Sequence, residues 1–184
     1  MTLTLDPAIH ISLRTALALL FVTAAIHKLR DVAAFSHVLR NYRLLPDVLT
    51  PIMAGMLIAT ELGIAVTLLL FSASDASLAA AALLATYAGA IGINLARGRQ
   101  HIDCGCAGRA QRQSLSRGLV LRNLVLCVAA LATALPPATR TLASLDGMTI
   151  AGALAFLCLM YATVNGLLAN APRLNAVAGT GGVS

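Results

Sequence analysis

Five long segments of the chain are almost uninterrupted runs of apolar side chains, and more polar loops separate them. They cover about 11–26, 48–71, 76–96, 118–135 and 147–169. Roughly 20 apolar residues in a helix cross a bilayer core, so each segment is predicted to span a membrane. We therefore expect an all-α, polytopic membrane helical bundle, a single domain over 1–184 that ends in a short flexible tail at 170–184. Four spans with one re-entrant segment is the alternative.

Composition supports a membrane protein and excludes several other classes. The chain is 59% hydrophobic and only 11% charged, whereas soluble domains carry roughly 25% charged residues. A disordered chain would need few apolar residues, and four cysteines are too few for a small secreted disulfide scaffold. The net charge of +6 does not predict nucleic-acid binding, because no basic face with interleaved aromatic residues is present.

Basic residues predict how the spans are oriented. The first ten residues contain no Lys or Arg, so the first span is expected to be a retained helix and not a cleaved signal peptide. With five spans, 11 of the 13 basic residues fall on one side of the membrane: on the first loop, which includes Lys28, on the third loop together with Arg122 just inside the fourth span, and on the tail. Only Arg14 and Arg140 fall on the other side. The positive-inside rule then places loops one and three in the cytoplasm and the N-terminus outside.

The first loop is predicted to hold an amphipathic helix of its own. Asp31 can cap it, its apolar residues recur at helical spacing from Val32 to Leu45, and Pro46 ends it. Such a helix either lies at the membrane interface or docks on the end of the bundle.

The third loop contains the most distinctive local feature, Cys104-Gly105-Cys106. Two thiols one residue apart can close a small strained ring, which raises the reduction potential. His101 and Arg109 are close in sequence and would support the reactive thiolate. A loop without chemistry and a metal site are the alternatives, although a single C-x-C is weak for zinc. We expect no metal and no cofactor.

Two further cysteines, Cys127 and Cys158, fall near the middle of the fourth and fifth spans. Opposed helices would put both thiols at similar depth, where they could exchange with the Cys104–Cys106 pair as a relay. The alternative is packing, because a buried cysteine often behaves as a small hydrophobe.

Glu61 stands near the centre of the second span. An ionisable group at that depth is costly and indicates a functional site. We expect either a proton site or a polar clamp between helices, with Asn94, Arg122 or Asn165 as its partner. No phosphate loop, zinc-protease motif or nucleophile elbow is present, so a hydrolase is not predicted.

Three stretches of the chain resemble the MauE family of methylamine utilisation proteins, within the wider DoxX-like group of redox-associated membrane proteins. In order they are 28–35 with 41–46, then 61–63, and then 93–98 with 102–106 and 119–123. One departure is Ala107, where the family commonly has an aromatic residue. The likeness covers about residues 20–130.

The resemblance implies a multi-pass protein of the bacterial inner membrane that is required for maturation of periplasmic methylamine dehydrogenase and is not itself the amine-oxidising enzyme. It implies processing, transport or disulfide formation of that enzyme's disulfide-rich small subunit, with a thioredoxin-like MauD-type protein as partner. A relay through Cys127 and Cys158 would reconcile a periplasmic substrate with a cytoplasmic thiol pair, and an inverted topology would do so as well. A transporter for the precursor and a passive anchor for the thioredoxin-like partner are the other hypotheses.

Overall fold

The computed structural model describes residues 4–71, 74–99, 102, 104 and 113–180, and within 172–180 the backbone alone. Helices are the regular elements of these residues, which confirms the all-α prediction. They are α1 Pro7–Arg30, α2 Val32–Tyr42, a 3-10 turn at Asp47–Leu49, α3 Thr50–Leu70, α4 Ser74–Ala96, α5 Arg117–Ala132 and α6 Ser144–Thr180.

Local capping sets the start of the first two helices. Asp6 accepts a hydrogen bond from the Ala8 amide, and Pro7 occupies the first turn, where its missing N–H costs nothing. Asp31 ends α1 and caps α2, its carboxylate accepting from the Ala34 amide at 2.9 Å. The predicted cap at Asp31 is therefore confirmed. Helix α2 buries Phe35 and Tyr42. The structure therefore shows the second of the two alternatives, an amphipathic helix docked on the end of the bundle.

Four helices, α1, α3, α4 and α5, enclose the main core. Phe21 of α1, Leu68 of α3, Leu84 of α4 and Ala130 of α5 belong to one buried cluster. Helix α6 packs on the outside of α1, and its most hydropathic stretch buries no residue inside the protein. A helix this apolar and this exposed is suited to face lipid.

The helices of the bundle alternate in direction. At one end, which we name the Arg140 end, the ring of His10 meets the carbonyl of Thr133, and the Thr133 hydroxyl donates to Ser77. These contacts join the starts of α1 and α4 to the end of α5. The opposite end, named the Cys104 end, carries α2, Ile102, Cys104 and the residues that lead into α5.

Within the described part of the chain, four helices are long and apolar enough to cross a membrane: Pro7–Arg30, Asp47–Leu70, Ser74–Ala96 and Ser144–Ala171. Helix α5 has 16 residues, about 24 Å at 1.5 Å per residue, so its role as a fifth span stays a prediction. Helix α6 continues to Thr180, through most of the segment for which the sequence predicted a flexible tail.

Candidate functional site

A buried ion pair joins α1 to α3. Lys28 and Glu61 are 3% and 0% exposed, and the Lys28 ammonium donates to Glu61 Oε1. The prediction that placed Lys28 on a cytoplasmic loop is therefore wrong, because α1 continues to Arg30. A signal for this was present in the sequence: Lys28 continues the buried stripe of Phe21 and Ala25 at helical spacing.

Tyr87 of α4 completes this cluster. Its hydroxyl donates to Glu61 Oε1 at 2.7 Å, and Lys28 Nζ lies 3.2 Å from the same hydroxyl. The ammonium also lies 5.0 Å from the centre of the Phe35 ring and 4.9 Å from that of Tyr87, within the range of cation–π attraction. Nothing in the sequence indicates that Phe35 and Tyr87 belong to this site. Each lies in an apolar helical segment, where it looks like an ordinary core residue.

The predicted partners of Glu61 have other contacts. Asn94 donates to the carbonyl of Ala90 on its own helix, and Arg122 donates to Asn165. Among the described residues, Glu61 Oε2 has no hydrogen-bond partner. Three helices meet at Glu61, which is the arrangement of a polar clamp, and its role as a proton site stays a prediction.

At the Cys104 end, two backbone hydrogen bonds fix the first thiol. The Cys104 amide donates to the Gln113 carbonyl at 2.9 Å, and the Leu115 amide donates to the Ile102 carbonyl at 3.1 Å. Cys104 is 7% exposed and belongs to a cluster with Tyr42, Ile91, Leu115 and Leu119. Its partner in the sequence motif, Cys106, and the predicted supports His101 and Arg109 lie outside the described residues.

Helix α6 holds this segment in place through Asn165. The Asn165 carbonyl accepts from Gln113 Nε2 at 2.8 Å, and its side-chain oxygen accepts from Arg122 Nη1 at 2.5 Å. The Arg122 guanidinium also lies over the Tyr161 ring at 5.7 Å. Arg122 thus lies within α5, as the sequence predicted, and connects α5 to α6.

The two cysteines within the helices face different surroundings. Cys127 packs toward α4, where its thiol donates to the Ala81 carbonyl at 3.4 Å. Cys158 is exposed on α6. Both are free thiols, and the structure shows no contact that brings them together.

The Arg140 end carries an exposed charge cluster. Arg140 donates to Asp6 at 3.0 and 3.2 Å and to Asp146 at 2.8 and 3.0 Å. These hydrogen bonds from Arg140, with a further one from the Ala8 amide, hold the pKa of Asp6 below its usual value. The hydrogen bonds to Asp146 and then Asp6 raise the pKa of Arg140. The cluster ties the start of α1 to the α5–α6 connection.

Comparison with known proteins agrees with the motifs in the sequence. A family model described as methylamine utilisation protein MauE matches residues 6–136, which covers α1 to α5. No solved structure gives a significant match to the chain.

Full-length relatives extend the likeness through α6. Methylamine utilization protein MauE of Paracoccus denitrificans is 44% identical, with 95% of this chain and 96% of the relative covered. The protein of the same name from Paracoccus versutus is 43% identical over the same shares. That of Methylorubrum extorquens is 43% identical over 71% of this chain and 70% of its own length. The chain belongs to the methylamine utilisation protein MauE family.

Proposed function

We propose that this protein serves methylamine utilisation as an inner-membrane maturation factor for the small subunit of methylamine dehydrogenase, and that it acts by thiol–disulfide exchange at Cys104 and Cys106. Family membership supports the pathway, since its full-length relatives carry methylamine utilisation in their names. One observation carries the chemistry: Cys104, the first thiol of the C-G-C motif, is fixed by backbone bonds at one end of the bundle. A thiol held in place is suited to repeated exchange with a partner.

The exchange itself needs only the two thiols and a thioredoxin-like partner. A thiolate of the pair attacks one sulfur of the partner's disulfide, forms a mixed disulfide and expels the other sulfur as a thiolate. The second cysteine of the pair then attacks the mixed disulfide and releases the reduced partner. The pair is oxidised to a disulfide as the partner gains two electrons, and the reverse flow follows the same steps.

This form of the mechanism does not use Cys127 or Cys158. Cys127 is turned toward the Ala81 carbonyl, and Cys158 is exposed on the outer helix. Because electron transfer between thiol pairs requires direct contact of sulfur atoms, these placements favour exchange at the Cys104 end alone.

Complementation of a strain that lacks the chromosomal gene tests the proposal. Cys104→Ser and Cys106→Ser are expected to abolish accumulation of mature methylamine dehydrogenase and growth on methylamine, while immunoblots find normal amounts of the membrane protein. Cys127→Ala and Cys158→Ala are the matched controls and are expected to support growth. Mature enzyme at wild-type levels in both serine variants would overturn the proposal.

The same strains discriminate the two other functions. An export component for the precursor would tolerate all four cysteine changes and fail with Glu61→Gln or Asn94→Leu. A passive anchor for the thioredoxin-like partner would also tolerate all four cysteine changes, and its function would depend on the surface of α2.

The orientation is part of the proposal: the N-terminus is periplasmic and the Cys104 end is cytoplasmic. An impermeant maleimide, applied after reduction, is expected to label Cys104 and Cys106 in inverted vesicles and not in intact cells. Labelling from outside would contradict this orientation and place the pair on the periplasmic face. Labelling only in inverted vesicles supports the orientation and means that the exchange partner reaches the pair from the cytoplasmic side, with Cys127→Ala and Cys158→Ala still supporting maturation.

A further inference from the structure

Cys104 is too deeply buried to exchange with another protein in the conformation described. The attacking sulfur must approach a disulfide in line at bonding distance, and Cys104 is 7% exposed. Ile91 and Leu119, which pack around it, belong to α4 and α5, the most extensively packed helix pair of the bundle. Tyr42 belongs to α2, which is short and lies at the edge of the bundle. Among the described elements that pack in the cluster around Cys104, α2 is therefore the one best placed to move.

Helix α2 packs on the bundle through one face, on which Phe35 and Tyr42 are buried and Val38 and Leu39 are partly buried. Phe35 and Tyr42 are its buried residues, and they are seven positions apart, so they lie on one face two turns from each other. Asp31 and Arg43 bound the helix, with Arg43 in the left-handed region at φ 48°. A single face and two non-helical ends allow the helix to move as a unit.

The two anchors hold different parts of the protein. Tyr42 packs in the cluster around Cys104. Phe35 packs against Ala54 and Ile58 of α3, and its ring faces the Lys28 ammonium at 5.0 Å. One short helix thus packs in the cluster that holds the candidate thiol and contacts Lys28 of the buried Lys28–Glu61 pair.

We propose that α2 is a lid over Cys104, held closed by a latch of Phe35 on the Lys28 cation and by Tyr42 in the cluster that encloses the thiol, and that it opens to admit the partner's disulfide. The lid rests on the proposed function of Cys104. Because the latch depends on the charge of Lys28, the ion pair between α1 and α3 stabilises the closed state, and the thiol is protected from non-specific oxidants until α2 lifts.

The rate at which a maleimide modifies Cys104 measures opening of the lid. The protein used is the full chain in detergent, with Cys104 as sole cysteine (Cys106→Ser, Cys127→Ala, Cys158→Ala) and under reducing conditions. Tyr42→Ala is expected to raise the rate by at least about tenfold, because reaction of a buried group follows the population of the locally open state. His37→Ala, at an exposed position of the same helix, is the control and should leave the rate unchanged.

Phe35 variants test the latch on Lys28. Phe35→Leu keeps an apolar side chain and removes the aromatic face, so labelling should accelerate. Phe35→Tyr keeps the face, so the rate should stay near that of the parent. The double variant Lys28→Met/Glu61→Met removes the cation without leaving a buried charge, and it should label as fast as Phe35→Leu.

Equal labelling rates in the parent, Tyr42→Ala and Phe35→Leu would overturn the lid. Hydrogen exchange of the α2 amides gives a second reading: faster exchange confined to α2 supports the lid, and faster exchange throughout the chain means that the variant has unfolded and counts against a local opening. The labelling experiment does not require that Cys104 be functional. Normal maturation in Cys104→Ser would thus refute the proposed function, while unchanged labelling would refute the lid alone.

Discussion

Lys28 and Glu61 form an ion pair inside the helical bundle, with side-chain exposures of 2% and 1%. Transfer of two charges from water costs several kcal/mol each, and their attraction regains this only with good geometry and further hydrogen bonds. Tyr87 supplies one such bond to Glu61. The pair is therefore a weak source of stability and a strong constraint on how α1, α3 and α4 pack together.

Removal of one member of this pair should be far more harmful than removal of both. Glu61→Leu leaves the Lys28 ammonium buried without a counter-charge, and we expect the free energy of unfolding to fall by about 3–5 kcal/mol. Lys28→Met/Glu61→Met should recover most of that loss. Unfolding by denaturant in detergent, followed by circular dichroism, measures both. Equal losses in the single and double variants would show that the pair is not coupled.

Arg14 is expected to stabilise the last turn of α3. Its guanidinium donates to the Leu68 carbonyl at 2.6 Å and to the Phe71 carbonyl at 2.7 Å, and a cation at a helix C-terminus also interacts favourably with the helix dipole. Arg14→Met should lower the free energy of unfolding by about 1–2 kcal/mol and weaken hydrogen-exchange protection in that turn. Arg14→Lys keeps the positive charge but lacks the two guanidinium donors, so its free energy of unfolding should fall by less. Unchanged protection in Arg14→Met would contradict the capping role.

Sequence periodicity was sufficient for the helices and insufficient for the polar contacts between them. Apolar runs of about 20 residues locate α1, α3, α4 and α6, and the cap at Asp31 locates α2. Periodicity does not reveal the partner of Glu61, because Lys28 stands 33 positions away, where the first apolar run ends and polar loop residues begin. A lysine near the end of a span has two options, to reach the interface or to turn inward. Only the neighbours in space, here Tyr87 and Phe35, decide between them.

At the Cys104 end, too, the sequence predicts the chemistry of the thiol pair but not its contacts in space. The spacing of Cys104 and Cys106 indicates redox chemistry, yet nothing in it predicts that Cys104 is buried in one cluster with Tyr42. That contact joins residues more than 60 positions apart, so it depends on how α2 docks. Likewise, the midplane positions of Cys127 and Cys158 follow from counting along helices, whereas the directions in which they face do not.

Asn165 should be replaceable by aspartate and not by leucine. Its side-chain oxygen accepts a hydrogen bond from Arg122, a residue that is only 9% exposed. Asn165→Leu removes an acceptor for a buried cation, so we expect a loss of about 2 kcal/mol in the free energy of unfolding. Asn165→Asp supplies a carboxylate and should be at least as stable as the parent, since charge-assisted hydrogen bonds are the stronger kind. Thermal unfolding in detergent compares the three, and an aspartate variant less stable than the leucine variant would refute the contact.

The Asp6–Arg140 pair should make stability depend on pH at the acidic end. Arg140 lowers the pKa of Asp6 below its usual value near 3.8. A group whose pKa is lowered on folding stabilises the folded state at pH values above its unfolded pKa, and the contribution disappears as pH falls through the folded pKa. Asp6→Asn should therefore melt below the parent at pH 7, with the gap closing below about pH 4.

High salt should also reduce the stabilisation that the Asp6–Arg140 pair provides. Both groups are largely exposed, and salt screens exposed ion pairs. The matched control is Asp47→Asn, whose carboxylate lies 4.0 Å from Arg40 and is 73% exposed; that variant should melt with the parent throughout. Differential scanning fluorimetry of both variants at pH 7, 5 and 3, with and without 1 M salt, gives the comparison. A gap for Asp6→Asn that does not narrow between pH 5 and pH 3 would mean that its cause is the helix cap at Ala8 and not the charge of Arg140.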